Sequence, residues 1–172
     1  LPVRLLAQKF DLPHGFEQLT VDDGLSQGYI TSILQDQRGY LWFGTKDGLN
    51  RYDGYTFSEI RHHPFDSTTI ANNHIVLFAE DHLGFLWGAA GGIYNRIDPI
   101  TNRVVRVPIY SDGKLLAPRA LELAPSIGDS SKSTTDVIRG VFATSSKRLY
   151  RLQLTFPLNR TEARELAHWG QE

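Results

Sequence analysis

The chain has 172 residues, 41% of them hydrophobic and 22% charged, which is enough for a packed core and fits a globular protein in water. Its formal net charge is −1, and Arg4, Lys9, Arg38, Lys46, Arg51 and Arg61 stand singly among acids, so no basic stripe points to nucleic acid or anionic lipid. Cysteine is absent, which excludes disulfides, thiolate nucleophiles and cysteine-held metals, and no apolar run reaches the roughly 18 residues that cross a bilayer as a helix.

The start, LPVRLLAQKF, is not a secretory signal, and without an initiating methionine the chain reads as processed or trimmed. Leu1–Phe10 reads as an edge strand or a linker, and Pro13-His14-Gly15 as a turn. Phe16–Thr20 is a short strand candidate, followed by an ordered acidic loop, Asp22–Gly28. Together these form a lead-in over residues 1–29.

A first unit follows over 30–61. One side of a strand carries Ile30, Ser32, Leu34 and Asp36; the other carries Thr31, Ile33 and Gln35. Asp36-Gln37-Arg38-Gly39 predicts a tight hairpin, in which the Asp carboxylate accepts from nearby backbone N–H groups and Gly39 takes a positive φ. Tyr40–Gly44 is a second strand, Lys46-Asp47-Gly48 a turn, Leu49–Tyr52 a third strand and Asp53-Gly54 another turn. Tyr55–Arg61 supplies the fourth strand, so the unit is an antiparallel meander. His62–Asn73, with Pro64 and several small polar residues, reads as a crossover.

The segment Ile30–Asp53 then returns 45 residues later as Ile75–Asp98, identical at eight of 24 positions. Tyr40 exchanges for Phe85, Ile33 for Phe78 and Leu49 for Tyr94. A unit of this size cannot bury its own apolar faces and must stack on neighbours. A second unit is therefore expected over 75–110, and a third over about 115–156, where Val141-Phe142-Ala143-Thr144 faintly echoes Trp42-Phe43-Gly44-Thr45 without its tryptophan. Ile127–Thr135 reads as a mobile loop, and Thr161–Trp169 as a short helix capped by Asn159 or Thr161. The expected fold class is all-β, made of β-propeller blades that are four-stranded antiparallel meanders. Closed propellers need about four to eight blades. Three units make an incomplete propeller, to be completed by self-association or by the remainder of a larger protein.

Phe16–Phe57 resembles the opening of the periplasmic sensor region of bacterial two-component regulators, the regulator propeller family. The resemblance runs through Asp98 and rests on Leu19-Thr20 with Asp23-Gly24-Leu25-Ser26, on Asp36 and Gly39–Thr45, and on Gly48–Asp53. The second copy keeps Asp81, Gly84, Leu86, Trp87, Asn95, Arg96 and Asp98, and departs at Ala89 and Ile93. Ser111–Glu172 is not covered. The resemblance implies a non-catalytic module in the periplasm, the extracytoplasmic part of an inner-membrane receptor with a histidine kinase or diguanylate cyclase output. It also implies a small-molecule ligand such as an oligosaccharide.

Most recurrent residues have structural readings. Asp36, Gly39, Trp42 and Gly44, with Asp81, Gly84 and Trp87, form the blade signature: turn-capping acids, turn glycines and tryptophans packed between sheets. Asn50-Arg51 and Asn95-Arg96 recur at fixed places and suggest hydrogen bonds between blades. Arg51 and Arg96 can alternatively offer a fork of donors to a carboxylate or to sugar hydroxyls. Asp22 and Asp23 lie where an entry loop can reach a ligand. These four residues are the candidate ligand contacts. His62, His63, Asp66 and His74 do not make a metal site, since adjacent strand histidines point to opposite faces. No nucleophile elbow, zincin, P-loop or dinucleotide fingerprint is present, so no catalytic residue and no cofactor is expected. Rival readings are a structural module for receptor self-association and, more weakly, a fragment of a propeller hydrolase or lyase.

Overall fold

The computed structural model describes residues 17–111, 114–123, 136–144, 148–156 and 161–168. Expectations for Leu1–Phe10, for the turn at Pro13–Gly15 and for the loop at Ile127–Thr135 lie outside these residues. The described strands are β1 (Ile30–Gln35), β2 (Leu41–Thr45), β3 (Gly48–Tyr52), β4 (Phe57–Ile60), β5 (Ile75–Glu80), β6 (Leu86–Ala90), β7 (Ile93–Ile97) and β8 (Val104–Val107). They continue with β9 (Tyr110–Ser111), β10 (Lys114–Leu115), β11 (Pro118–Leu123), β12 (Asp136–Thr144), β13 (Arg148–Phe156) and β14 (Thr161–His168).

Three four-stranded sheets result, ordered β1-β2-β3-β4, β5-β6-β7-β8 and β11-β12-β13-β14, every pairing antiparallel. We call them blades 1, 2 and 3. β5 touches both β1 and β11, so the first strands of the blades lie together and the fourth strands face outward. This is the arrangement of an all-β, partial propeller.

Two readings need correction. Thr161–His168, expected as a helix within 161–169, is strand β14, paired along its length with β13. A helix there would leave the nine-residue β13 with an open edge; pairing in the sheet outweighs local capping signals. The third unit therefore runs to His168 and does not end at Phe156. The strand candidate at Phe16–Thr20 also fails over its described part: Glu17–Thr20 is irregular, and Thr20 caps a 3-10 turn at Val21–Asp23.

The two hairpin turns form because each sequence supplies an acid first and a glycine last. Gly39 and Gly84 adopt φ of 90° and 81°, and each donates its N–H to the carbonyl of the Asp three residues earlier at 2.9 Å. Pairing then sets which side chains share a face. Trp42 lies opposite Leu34 and Arg51, and Leu49 opposite Ile60. That face of blade 1 meets Leu86, Ala90, Ile97 and Val104 of blade 2, with Ile70, Ile75 and Leu77, in one buried cluster. Trp42, Leu49, Ile70, Ile75, Leu86 and Ile97 are all 0% exposed. Ile70 belongs to the segment read as a plain crossover.

Between the innermost strands the contact is polar. The Thr31 hydroxyl donates to the Ile75 carbonyl, and the Leu77 N–H donates to Ser32 Oγ at 2.7 Å. Gly44 is required there. A Cβ at that position would stand 2.4 Å from Ser32 Oγ and 2.7 Å from the Ile75 carbonyl oxygen.

Candidate functional site

Each blade holds a knot built on its turn aspartate. In blade 1, Asp36 Oδ1 accepts from the N–H groups of Arg38 and Tyr40 at 2.9 and 3.0 Å, and Oδ2 accepts from Trp42 Nε1 at 2.9 Å. In blade 2, Asp81 accepts from Leu83 and Phe85 N–H at 3.0 Å and from Trp87 Nε1 at 2.8 Å. One carboxylate therefore closes the turn and satisfies the indole of a buried tryptophan. The turn-capping expectation covers only half of this role.

The paired arginines part company. Arg96 is buried, donates from Nε to Asp81 Oδ2 at 2.9 Å, and lies 3.7 Å over the Phe85 ring. Its guanidinium is committed to the interior and does not present a fork to a ligand. Arg51 is half-exposed, donates to the Pro99 carbonyl of blade 2 at 3.3 Å, and lies 5.1 Å over the Tyr40 ring. It bridges two blades at the end where the hairpin turns cluster.

Glu80 sits at the same boundary. Its carboxylate accepts from the Gln37 N–H of blade 1 at 2.8 Å. Burial raises its pKa above the ordinary value, with the charges of Asp36 and Asp81 adding to the effect against the opposing Gln37 bond and Arg38. At the turn after β3, Asp53 Oδ1 accepts from Thr56 N–H at 2.7 Å and Tyr55 N–H at 2.8 Å, which lowers its pKa.

Asp22 and Asp23 lie on the opposite face of blade 1 from Arg51. The Gly24 beside them packs on Phe57, which pairs with Tyr52, whereas Arg51 pairs with Trp42. Asp23 is engaged locally: its Oδ2 accepts from the Thr20 N–H at 2.7 Å and the Thr20 hydroxyl at 2.9 Å. Asp22 is exposed. The four candidate ligand residues thus do not converge on one place. His62 Nδ1 is bonded to the Ile70 carbonyl at 2.7 Å, and among the described residues no three His, Asp or Glu side chains are grouped to hold a metal.

Sequence reading missed the role of the residues before each first strand. Asn50 Oδ1 accepts from Ser26 N–H and Asn95 Oδ1 from Ala71 N–H, both at 2.9 Å and both 24 residues apart. The recurrent asparagines therefore anchor each blade's own entry loop. The signal was available: Leu25-Ser26 and Ile70-Ala71 are also separated by the repeat length of 45, and both Leu25 and Ile70 are buried.

Antiparallel meanders stacked with their first strands together define a run of β-propeller blades. Within it, residues 24–47 match the family described as two component regulator propeller. A curated relative, histidine kinase P4 of Formosa agariphila, is 52% identical over 56 residues, which are 33% of this chain and 4% of that protein. The extracellular domain of the putative hybrid two component system BT3049 from B. thetaiotaomicron has the same fold, with a TM-score of 0.53 and 20% identity, over 88% of this chain and 26% of that one. The extracellular domain of the putative one component system BT4673 from B. thetaiotaomicron gives a TM-score of 0.55 and 17% identity, over 77% of this chain and 18% of the other. The chain therefore spans a small part of the length of each of these three proteins.

Proposed function

We propose that this chain is a non-catalytic sensing segment in the extracytoplasmic part of a membrane-anchored bacterial two-component receptor, with a carbohydrate fragment as ligand. The observation that carries the reading is the two component regulator propeller repeat at residues 24–47. The likeness of the fold to extracellular domains of putative hybrid and one component systems supports it.

Arg51 is the ligand contact we favour. The residue is half-buried, and its guanidinium lies over the Tyr40 ring and makes a long bond to the Pro99 carbonyl. A planar fork of donors beside an aromatic ring suits sugar hydroxyls or a sugar carboxylate. Binding that drew Arg51 from Pro99 would favour one arrangement of blades 1 and 2 over another, as a sensor requires. Asp22 is exposed on the other face, and Asp23 and Arg96 are bonded to Thr20 and Asp81.

Calorimetric titration of the receptor's extracellular region with neutral and acidic oligosaccharides tests this. Saturable binding weakened about tenfold or more by Arg51→Ala is expected, equivalent to about 1.4 kcal/mol. Binding untouched by Arg51→Ala removes the site, and no saturable binding across the panel removes the carbohydrate ligand. The second reading, a structural module, is favoured by the bond from Arg51 to Pro99, which fastens the blades without any ligand.

A further inference from the structure

The knots on the two turn aspartates match in every side-chain bond but one. Asp36 and Asp81 are both buried, at 5% and 2% exposed. Each gives Oδ1 to two turn N–H groups and Oδ2 to a tryptophan Nε1. Asp81 Oδ2 accepts a further bond, from Arg96 Nε at 2.9 Å, and so has a counter-charge. Asp36 Oδ2 accepts from Trp42 alone, and among the described residues Asp36 has no ion-pair partner. A carboxylate buried in that state has lost water without gaining a cation, which is unfavourable. The matching cation is close by. Arg51 pairs across the strands with Trp42 as Arg96 pairs with Trp87, and the guanidinium carbons stand 5.9 and 6.0 Å from the two indole rings. They differ over the aromatic residue that follows each turn: 5.1 Å from Tyr40 against 3.7 Å from Phe85. The bond that Arg51 makes instead goes to a neutral carbonyl, that of Pro99, at 3.3 Å, beyond the usual range of about 2.7–3.2 Å.

We propose that Arg51 is a two-position latch. In the outer position it links blade 1 to Pro99 of blade 2; in the inner position its Nε donates to Asp36 Oδ2 and reproduces the ion pair of Arg96 with Asp81. The repeat itself supplies the geometry of both ends, since the same Asp, Trp and Arg occupy the same register in each blade. Drawing the guanidinium from 5.1 to 3.7 Å of its ring is a large movement for a bond already at its limit, so the inner position gives up Pro99. The opposing terms are of one kind. The inner position supplies the counter-charge that Asp36 lacks, and the outer position keeps the half-buried guanidinium from further loss of water. Such a balance populates two positions, and anything that favours either one shifts it. The inner position also withdraws the donor fork from the rim, so a ligand that uses Arg51 competes with Asp36. The latch does not rest on the sensing reading, because both positions exist without a ligand.

NMR relaxation dispersion of the arginine Nε–H signals in the unmodified, ligand-free 172-residue chain tests the proposal, with Arg51→Lys used only to assign the Arg51 signal. Exchange on the μs–ms scale is expected at Arg51, and a flat profile at Arg96, whose ion pair is already closed. The Asp36 carboxyl carbon is expected to exchange at the same rate as Arg51 Nε, because one movement changes both. Asp36→Asn keeps an oxygen for the turn N–H groups and removes the charge; loss of the Arg51 exchange is expected, with Arg96 unchanged. A flat Arg51 profile in the unmodified protein overturns the latch. So do unequal rates at Arg51 and Asp36, and so does exchange that persists in Asp36→Asn, since the inner partner is then another group. Should Asp36→Asn fail to fold, the matched rates in the unmodified protein decide alone. None of these readouts involves a ligand, so a flat profile leaves the sensing proposal to its own titration, and a failed titration leaves the latch standing.

Discussion

Blades 1 and 2 carry the same Asp, Trp, Asn and Arg at the same places, yet they differ in where the arginine goes. In blade 2 Arg96 turns inward, pairs with Asp81 and is buried. In blade 1 Arg51 leaves Asp36 to Trp42 and the turn N–H groups and reaches across to Pro99. The outer strands differ as well: Arg106 of blade 2 holds the entry loop through the carbonyls of Thr69, Asp66 and Ile70, while Glu59 at the matching position pairs with Arg61. A repeated residue therefore has a fixed position but not a fixed task. Its task is decided by burial and by the neighbour beyond its own blade.

The arginines give the largest test of that contrast. Arg96→Ala leaves a buried Asp81 carboxylate without its ion-pair partner and is expected to destabilise by about 3–5 kcal/mol. Arg51→Ala removes a half-exposed bond and should cost about 1 kcal/mol or less. Denaturant unfolding of both variants checks this, and equal losses would break the distinction.

Next in size is Gly44→Ala, expected to cost about 1–3 kcal/mol because the new methyl is forced against Ser32 Oγ and the Ile75 carbonyl. Ala89, the matching residue of blade 2, already carries a Cβ, so Ala89→Gly should have a small effect of about 1 kcal/mol at most. Thermal unfolding of the two variants decides whether the close contact belongs to blade 1.

The smallest effect concerns Glu80. Its pKa in the folded chain is raised, so the native state holds the proton over a window that opens near the ordinary value of 4.5 and extends upward. Its contribution is fully present below that value and is lost as pH rises through the folded pKa. Glu80→Gln, which can still accept from Gln37 N–H, should flatten the dependence of stability on pH in that window. A wild-type slope retained in the variant would assign the titration to another group.

Much of this was legible from spacing alone. The repeat of 45, the Asp-to-Gly turns and the strand alternation give the blade and place Trp42 in the core, because a period-2 pattern with a fixed turn leaves one register. Other features depend on contacts between units that no local pattern encodes. Nothing in Asn-Arg repeated twice says that Arg96 folds inward and Arg51 outward. The helix expected near 161–169 failed for the same reason, since the open edge of β13 decides that segment. Ile70 was hidden by the polar composition of its neighbours, although its partner Leu25 stood one repeat earlier.

The hydroxyl bonds of Thr31 and Ser32 have a mechanical meaning. They fasten β1 to β5 by side chain to backbone at the inner edge, while farther out the buried cluster holds the same two blades and Arg51 adds one long bond. Directional bonds thus set the spine of this seam, and apolar contact fills the space between its leaves out to Ile60 of β4 and Val104 of β8.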